Sequence, residues 1–167
     1  MIRFTTAKPQ DVPRLRALVE ACYRGDSARQ GWTHEADLLD DERTTEAELA
    51  EVLADASNRV LLAEVDSKLV GTVTVTDLGN GRAYMGMLCV DPALQAEGLG
   101  RALLADAEDT AVEAFGATVM EMTVIDARAE LIAYYERRGY ARTGETRPFP
   151  AAGEHPFAMV VMERSLG

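Results

Sequence analysis

Apolar positions recur along this chain with two periods, and the switches between them divide it into elements. Ile2 to Thr6 reads as a first strand and Lys8-Pro9-Gln10-Asp11 as the turn after it. Asp11 is placed to cap a helix running on through Val12-Pro13-Arg14, since proline is tolerated in a first helical turn. Leu15, Leu18, Val19 and Cys22 fall on one face of that helix, and Gly25 stops it. From Asp26 to Thr45 no clean period is visible. Thr45 then caps Glu46 to Asp55, with Glu48 three residues on as in a capping box.

The strand period takes over next. Val60 to Val65 is a continuous apolar run, Asp66-Ser67-Lys68 a turn, and Leu69 to Thr76 alternates between small and threonine-bearing faces. Asn80 and Gly81 both tolerate positive φ, which predicts a hairpin turn into the strand Arg82 to Val90. Leu99, Leu103, Ala107 and Ala111 recur every four residues, the spacing of one buried helix face. Thr118 to Val124 follows as a strand with Met120, Met122 and Val124 to one side, then a helix over Ala129 to Arg138 ended by Gly139. Tyr140 to Glu145 and Phe157 to Arg164 are the last strands, joined by a Pro/Gly loop. No repeat, low-complexity tract or linker interrupts the 167 residues, so a single mixed α/β domain over 1–167 is expected.

Composition narrows the setting. Hydrophobic residues make up 47% and charged ones 27%, a globular balance, with no apolar run long enough to span a membrane. Met1 to Thr5 carries no signal-peptide pattern, so a cytoplasmic protein without a membrane partner is expected. Two cysteines, Cys22 and Cys89, sit in apolar surroundings and read as small core hydrophobes; with two histidines and no Cys-x-x-Cys, no metal site is expected. Asp and Glu outnumber Lys and Arg by 28 to 17, a formal charge of −11, which argues against a nucleic-acid partner. Such a field serves solubility and would also draw in a cationic amine.

One stretch breaks the bland pattern. Met87-Leu88-Cys89-Val90 ends a buried strand at Asp91-Pro92, and Gln95-Ala96-Glu97-Gly98-Leu99-Gly100-Arg101 opens the long helix. Glycine inside a helix costs about 1 kcal/mol, so two at its entry call for a reason. Either the turn alone requires them, or they clear side chains from N–H groups that bind an anion at the positive end of the helix dipole. Gln95 adds a neutral donor and Arg101 a cationic one. No Gly-Lys-Ser/Thr follows, so this is not a P-loop, and the dinucleotide fingerprint spaces its glycines differently.

Gln95 to Gly100 resembles the Gln/Arg-x-x-Gly-x-Gly/Ala motif of the GNAT N-acetyltransferase superfamily, and it follows Val90-Asp91-Pro92 as in that family. Leu131-Ile132-Ala133-Tyr134-Tyr135-Glu136-Arg137-Arg138-Gly139-Tyr140 is similar to the family's second motif, with Tyr135 at its tyrosine position. The predicted element order also matches over the full length. The resemblance implies the acyl-CoA N-acyltransferase fold, a mostly antiparallel twisted sheet of about seven strands flanked by four or five helices. It implies acetyl-CoA as co-substrate and a small-molecule or peptide amine as acceptor, with direct attack in a ternary complex. Pairing of edge strands into a homodimer is common in the family.

Residue roles carry over from the same resemblance. Gln95, Ala96, Glu97, Gly98, Leu99, Gly100 and Arg101 would cradle the pyrophosphate, while Leu88, Cys89 and Val90 would hold the pantetheine arm through backbone groups. Tyr135 would return a proton to the departing thiolate, with Tyr134 as the alternative if the helix is rotated. Arg128 stands where many relatives have an asparagine that touches the pantetheine, and it either reaches a coenzyme phosphate or is an ordinary surface arginine. The strand Arg82 to Val90 lacks the carboxylate that many relatives use as base. Glu121 on the next strand is the candidate, with deprotonation through water as the other route. Trp32, His34 and Glu35 in the variable segment are candidates for the acceptor site. A non-catalytic acyl-CoA-binding sensor on the same fold is the alternative function.

Overall fold

The computed structural model describes residues 2–23, 45–91, 98–148 and 158–166. In chain order these form β1 (Ile2–Thr6), a 3-10 turn (Pro9–Asp11), α1 (Val12–Tyr23), α2 (Glu46–Ala54), β2 (Asn58–Val65), β3 (Lys68–Gly79), β4 (Arg82–Val90), α3 (Leu99–Phe115), β5 (Val119–Ile125), α4 (Ala129–Arg137), β6 (Ala141–Pro148) and β7 (Ala158–Ser165). This is the expected mixed α/β fold, in the order read from the sequence.

Local chemistry accounts for the joints. Asp66 and Ser67, and again Asn80 and Gly81, have positive φ, the paired geometry that returns a strand on itself with the sheet's own twist. The Thr45 hydroxyl accepts the Glu48 N–H at 3.2 Å and starts α2. Asp11, expected to cap α1, closes the 3-10 turn instead. Its carboxylate accepts the Lys8 N–H at 2.8 Å and pairs with Arg14.

The seven strands make one sheet in the order β1-β2-β3-β4-β5-β7-β6. Only β4 and β5 run parallel, as the helical crossover α3 between them requires. On one face α3 and α4 pack over Val73, Val75, Met85, Met120, Met122 and Met162. On the other, α1 and α2 cover Val60, Leu62 and Cys89 through Leu15, Val19, Cys22 and Leu49. Both cysteines are buried and unbridged, as the sequence suggests.

Contact between α3 and β3 is close at Gly71, opposite Val90, where a Cβ would come within 2.6 Å of the Leu103 Cδ1. Leu103 is fully buried and has nowhere to retreat. Gly71→Ala is therefore expected to cost about 1–3 kcal/mol of stability by overpacking. In urea denaturation, Leu103→Ala combined with it should lose less than the two singles together, because the second change opens the space the first needs.

Candidate active site

The sheet comes apart at its centre. β4 and β5 form three parallel rungs, Arg82 with Val119, Ala83 with Met120 and Tyr84 with Glu121, and none beyond. From there β4 stays with β3 as far as Val90, and β5 stays with β7 as far as Ile125. Each strand is committed to its outer neighbour, so a fork opens between them. The β3–β4 register jumps from Thr74 opposite Gly86 to Thr72 opposite Cys89, placing one extra residue on β4. Met87 there has φ +54°, an uncommon conformation for a side-chain-bearing residue and the mark of a bulge that bends the strand. Leu88 packs against the α3 side of the sheet and Cys89 against the α1 side. The Val90 carbonyl accepts the Cys22 thiol at 3.2 Å, a contact from α1 to the end of β4 that the sequence did not reveal.

The glycine entry to α3 is beside this fork. Gly98 is the N-cap, at φ +76°, and its carbonyl accepts the Ala102 N–H at 3.1 Å. A Cβ on Gly100 would lie 3.7 Å from the Tyr134 hydroxyl and 3.8 Å from Val90 Cγ2, so the first turn sits between α4 and the end of β4. No acidic residue occupies this first turn, and Arg101 is exposed on it. Leu99 points into the core. Gln95, Ala96 and Glu97 lie outside the described residues, as do Trp32, His34 and Glu35.

Tyr135 is buried on α4, its ring edge-on to Tyr134 at 5.5 Å and to Tyr140 at 6.1 Å between centroids. Burial pushes its hydroxyl well above the ordinary phenol range, reinforced by Tyr134, while the charge of Arg128 draws it partly back. Arg128 is the N-cap of α4. Tyr140 donates to Glu108 on α3 at 2.8 Å, and Arg164 of β7 pairs with the other oxygen of Glu108 at 2.7 Å. That brace holds the ring that Tyr135 leans on.

Glu121 lies at the last rung, buried, with both oxygens engaged. Arg82 reaches one at 3.2 Å and Arg147 the other at 3.0 Å; Arg82 also pairs with Glu163 and Arg147 with Glu145. The network ties β4, β5, β6 and β7 together below the fork. Just above it, the Tyr84 and Thr123 hydroxyls share a hydrogen bond at 2.6 Å. Neither was singled out by the sequence, because no local signal says which residues of β4 and β5 lie opposite one another.

Among the described residues no helix is long and apolar enough to cross a membrane, and no cluster of His, Cys, Asp and Glu is arranged to hold a metal.

A seven-stranded sheet split beside a glycine-led helix is the architecture of acyl-CoA N-acyltransferases. The ribosomal-protein-S18-alanine N-acetyltransferase of Escherichia coli superposes with a TM-score of 0.77 at 18% identity, over 100% of this chain and 95% of that one. The spermidine N-acetyltransferase of Vibrio cholerae, in complex with CoA and spermine, gives 0.74 at 16% identity, covering 99% and 95%. A GNAT-family acetyltransferase from Streptococcus pneumoniae gives 0.70 at 18%, covering both chains fully at 100%. At these identities the likeness is one of fold. The acetyltransferase (GNAT) family profile matches residues 13–140, and the chain belongs to that family. No curated protein matches it.

The two glycines of the α3 entry should separate in a stability measurement. Gly98→Ala forces a side chain into the left-handed region and is expected to lose about 1–2 kcal/mol in urea denaturation. Gly100→Ala, whose Cβ would make only ordinary contacts with Tyr134 and Val90, should lose nothing and gain up to about 1 kcal/mol of helix propensity.

Proposed function

We propose that this protein transfers the acetyl group of acetyl-CoA to a primary amine by direct attack, as an N-acetyltransferase. The observation that carries the reading is one juxtaposition: a strand fork, a glycine-led helix whose first turn carries no acid, and a buried tyrosine.

The residues fit the co-substrate chemically. The N–H groups around Leu99 and Gly100, with Arg101, suit a pyrophosphate. Gln95, Ala96 and Glu97 are carried in the same role on sequence resemblance alone. The β4 backbone from Leu88 to Val90 borders the fork, where an extended pantetheine arm would lie like an added strand. A backbone N–H at Leu88 would polarise the thioester carbonyl. Arg128, at the N-cap of α4, is carried toward a coenzyme phosphate on sequence resemblance alone.

The chemistry then follows a simple balance. The neutral amine attacks the carbonyl carbon, forming the C–N bond as the C–S bond breaks. The sulfur leaves as a thiolate and takes the proton of Tyr135, which regains one from solvent. The amine gives its surplus proton to water. We assign Glu121 to holding the sheet together below the fork, since both its oxygens already serve guanidinium groups. The acceptor's chemical class stays that of a primary amine on a small molecule or peptide, with Trp32, His34 and Glu35 proposed to line its site.

Calorimetry with acetyl-CoA, and with ATP and NAD as controls, tests the ligand. Binding of acetyl-CoA alone in the micromolar range, about −8 kcal/mol, is expected; equal or absent binding would overturn the reading. Gly100→Asp places a negative charge where the pyrophosphate is assigned, and should abolish that binding while leaving the fold intact, because Asp suits a first helical turn. Acetylation of a polyamine or a peptide amino terminus then separates an enzyme from a sensor.

Tyr135→Phe should lower kcat by about 10²-fold or more with acetyl-CoA affinity unchanged. The pH profile has a definite sign. A phenol raised above its ordinary value of 10.0 stays protonated at and below that pH, so the donor form persists through the alkaline range. We expect kcat/KM to rise with pH as the amine deprotonates, with no falling limb below about pH 10. A fall near pH 8 would remove Tyr135 as the donor.

A further inference from the structure

Continuing the β4–β5 register past its last rung, Tyr84 with Glu121, would bring Gly86 opposite Thr123. That rung is not made. Beside the unmade rung, the side chain of Tyr84 leans two residues forward along β4. A Cβ on Gly86 would meet the Tyr84 Cε1 at 3.1 Å, so the ring lies over Gly86 itself. The hydroxyl at the far end reaches Thr123 at 2.6 Å. Immediately beyond, Met87 takes φ +54° and the extra residue of the bulge turns β4 away.

We infer that Tyr84 is a strut across the fork, and that its hydrogen bond to Thr123 fixes the gap into which the acyl-CoA arm fits. The inference rests on the functional reading above, and it assigns to Tyr84, Gly86 and Thr123 a positioning role.

Each component has a physical reason. Parallel strands that have made three rungs lose little by making a fourth, and each rung hides polar backbone groups that otherwise need partners. The phenol ring lies on the face of Gly86 and carries its hydroxyl across to Thr123, so the two strands are joined here by side chains rather than by a backbone rung. The Tyr84–Thr123 bond opposes further separation of β4 from β5, because a short hydroxyl pair in a half-buried place is lost when the strands part. Gly86 favours this arrangement because a Cβ there would meet the ring at 3.1 Å and press it a few tenths of an ångström aside. Below the strut, the pairs of Glu121 with Arg82 and Arg147 keep the last rung itself closed. The fork therefore has a fixed origin and a fixed opening before any ligand arrives, and a ligand that fits it does not have to set the gap itself.

The test is acetyl-CoA binding by calorimetry on the full chain, with thermal melting alongside. Tyr84→Phe keeps the ring and removes the bond, as does Thr123→Val from the other side. Each is expected to weaken acetyl-CoA binding about five-fold, the scale of one neutral hydrogen bond. The double variant should be no weaker than either single, since both remove the same bond. Thr123→Ser should bind as the parent does. Gly86→Ala removes no polar group but presses the ring a few tenths of an ångström aside, and is expected to weaken binding by no more than loss of the bond does. If the parent binds acetyl-CoA and the Tyr84→Phe and Thr123→Val proteins bind it equally well, the strut is overturned even where their melting temperatures fall. If the parent itself does not bind acetyl-CoA, the functional reading fails and the strut goes with it.

Discussion

The parting of β4 from β5 after three rungs is the constraint on which the rest of the molecule turns. It is a consequence of divided loyalty within one sheet. β5 pairs with β7 along its whole length, seven residues in unbroken register, and so cannot bend to follow β4. β4 is held to β3 as far as Val90, and the extra residue at Met87 increases its local twist. The helix that crosses from β4 to β5 must start where β4 ends. Its N-terminus, with unpaired N–H groups and partial positive charge, is consequently delivered to the mouth of the fork.

Most of the scaffold could be read from local signals. Asn80-Gly81, the four-residue spacing from Leu99 to Ala111 and the alternation of Met120, Met122 and Val124 each depend on neighbours close in sequence, and each appears as expected. The mostly antiparallel seven-stranded sheet was legible through family resemblance. What stayed hidden was pairing across the crossover. Glu121, between Met120 and Met122, read equally as a solvated or salt-bridged strand residue or as a candidate base. Only the register that brings Arg82 and Arg147 to its two oxygens shows the ion pairs and their partners. Tyr84 and Thr123 carried no signal at all, because their contact depends on where a parallel ladder stops. Asp11 illustrates a smaller miss: a residue fit to cap a helix closed the preceding turn, since the 3-10 geometry offered it the Lys8 N–H first.

Charge is arranged against the overall trend at the places that matter. The chain carries a net −11, yet the first turn of α3 has no acid, and the carboxylates near the fork's origin are matched by arginines. Exposed ion pairs are worth little individually. Glu121 differs because it is buried and served from both sides. Removing both arginines would leave its carboxylate without compensation in a place poorly reached by water, whereas removing one leaves the other in place. The network is thus better understood as closing the sheet below the fork than as a source of surface stability.

The surroundings of Tyr135 complete the argument for a proton donor held in place rather than merely buried. A phenol deep in a core is usually there for its ring. This one is flanked edge-on by Tyr134 and Tyr140, and Tyr140 is anchored by a hydrogen bond to Glu108, itself gripped by Arg164 from β7. Three elements, α3, α4 and β7, therefore fix one ring plane. Among the described residues no hydrogen bond holds the Tyr135 hydroxyl, although burial keeps its proton in place. That hydroxyl is not one of the buried side-chain atoms left without a partner, so it reaches the edge of the core rather than being sealed within it. On the functional reading it meets the departing sulfur there, and the brace around the ring holds it in a fixed position.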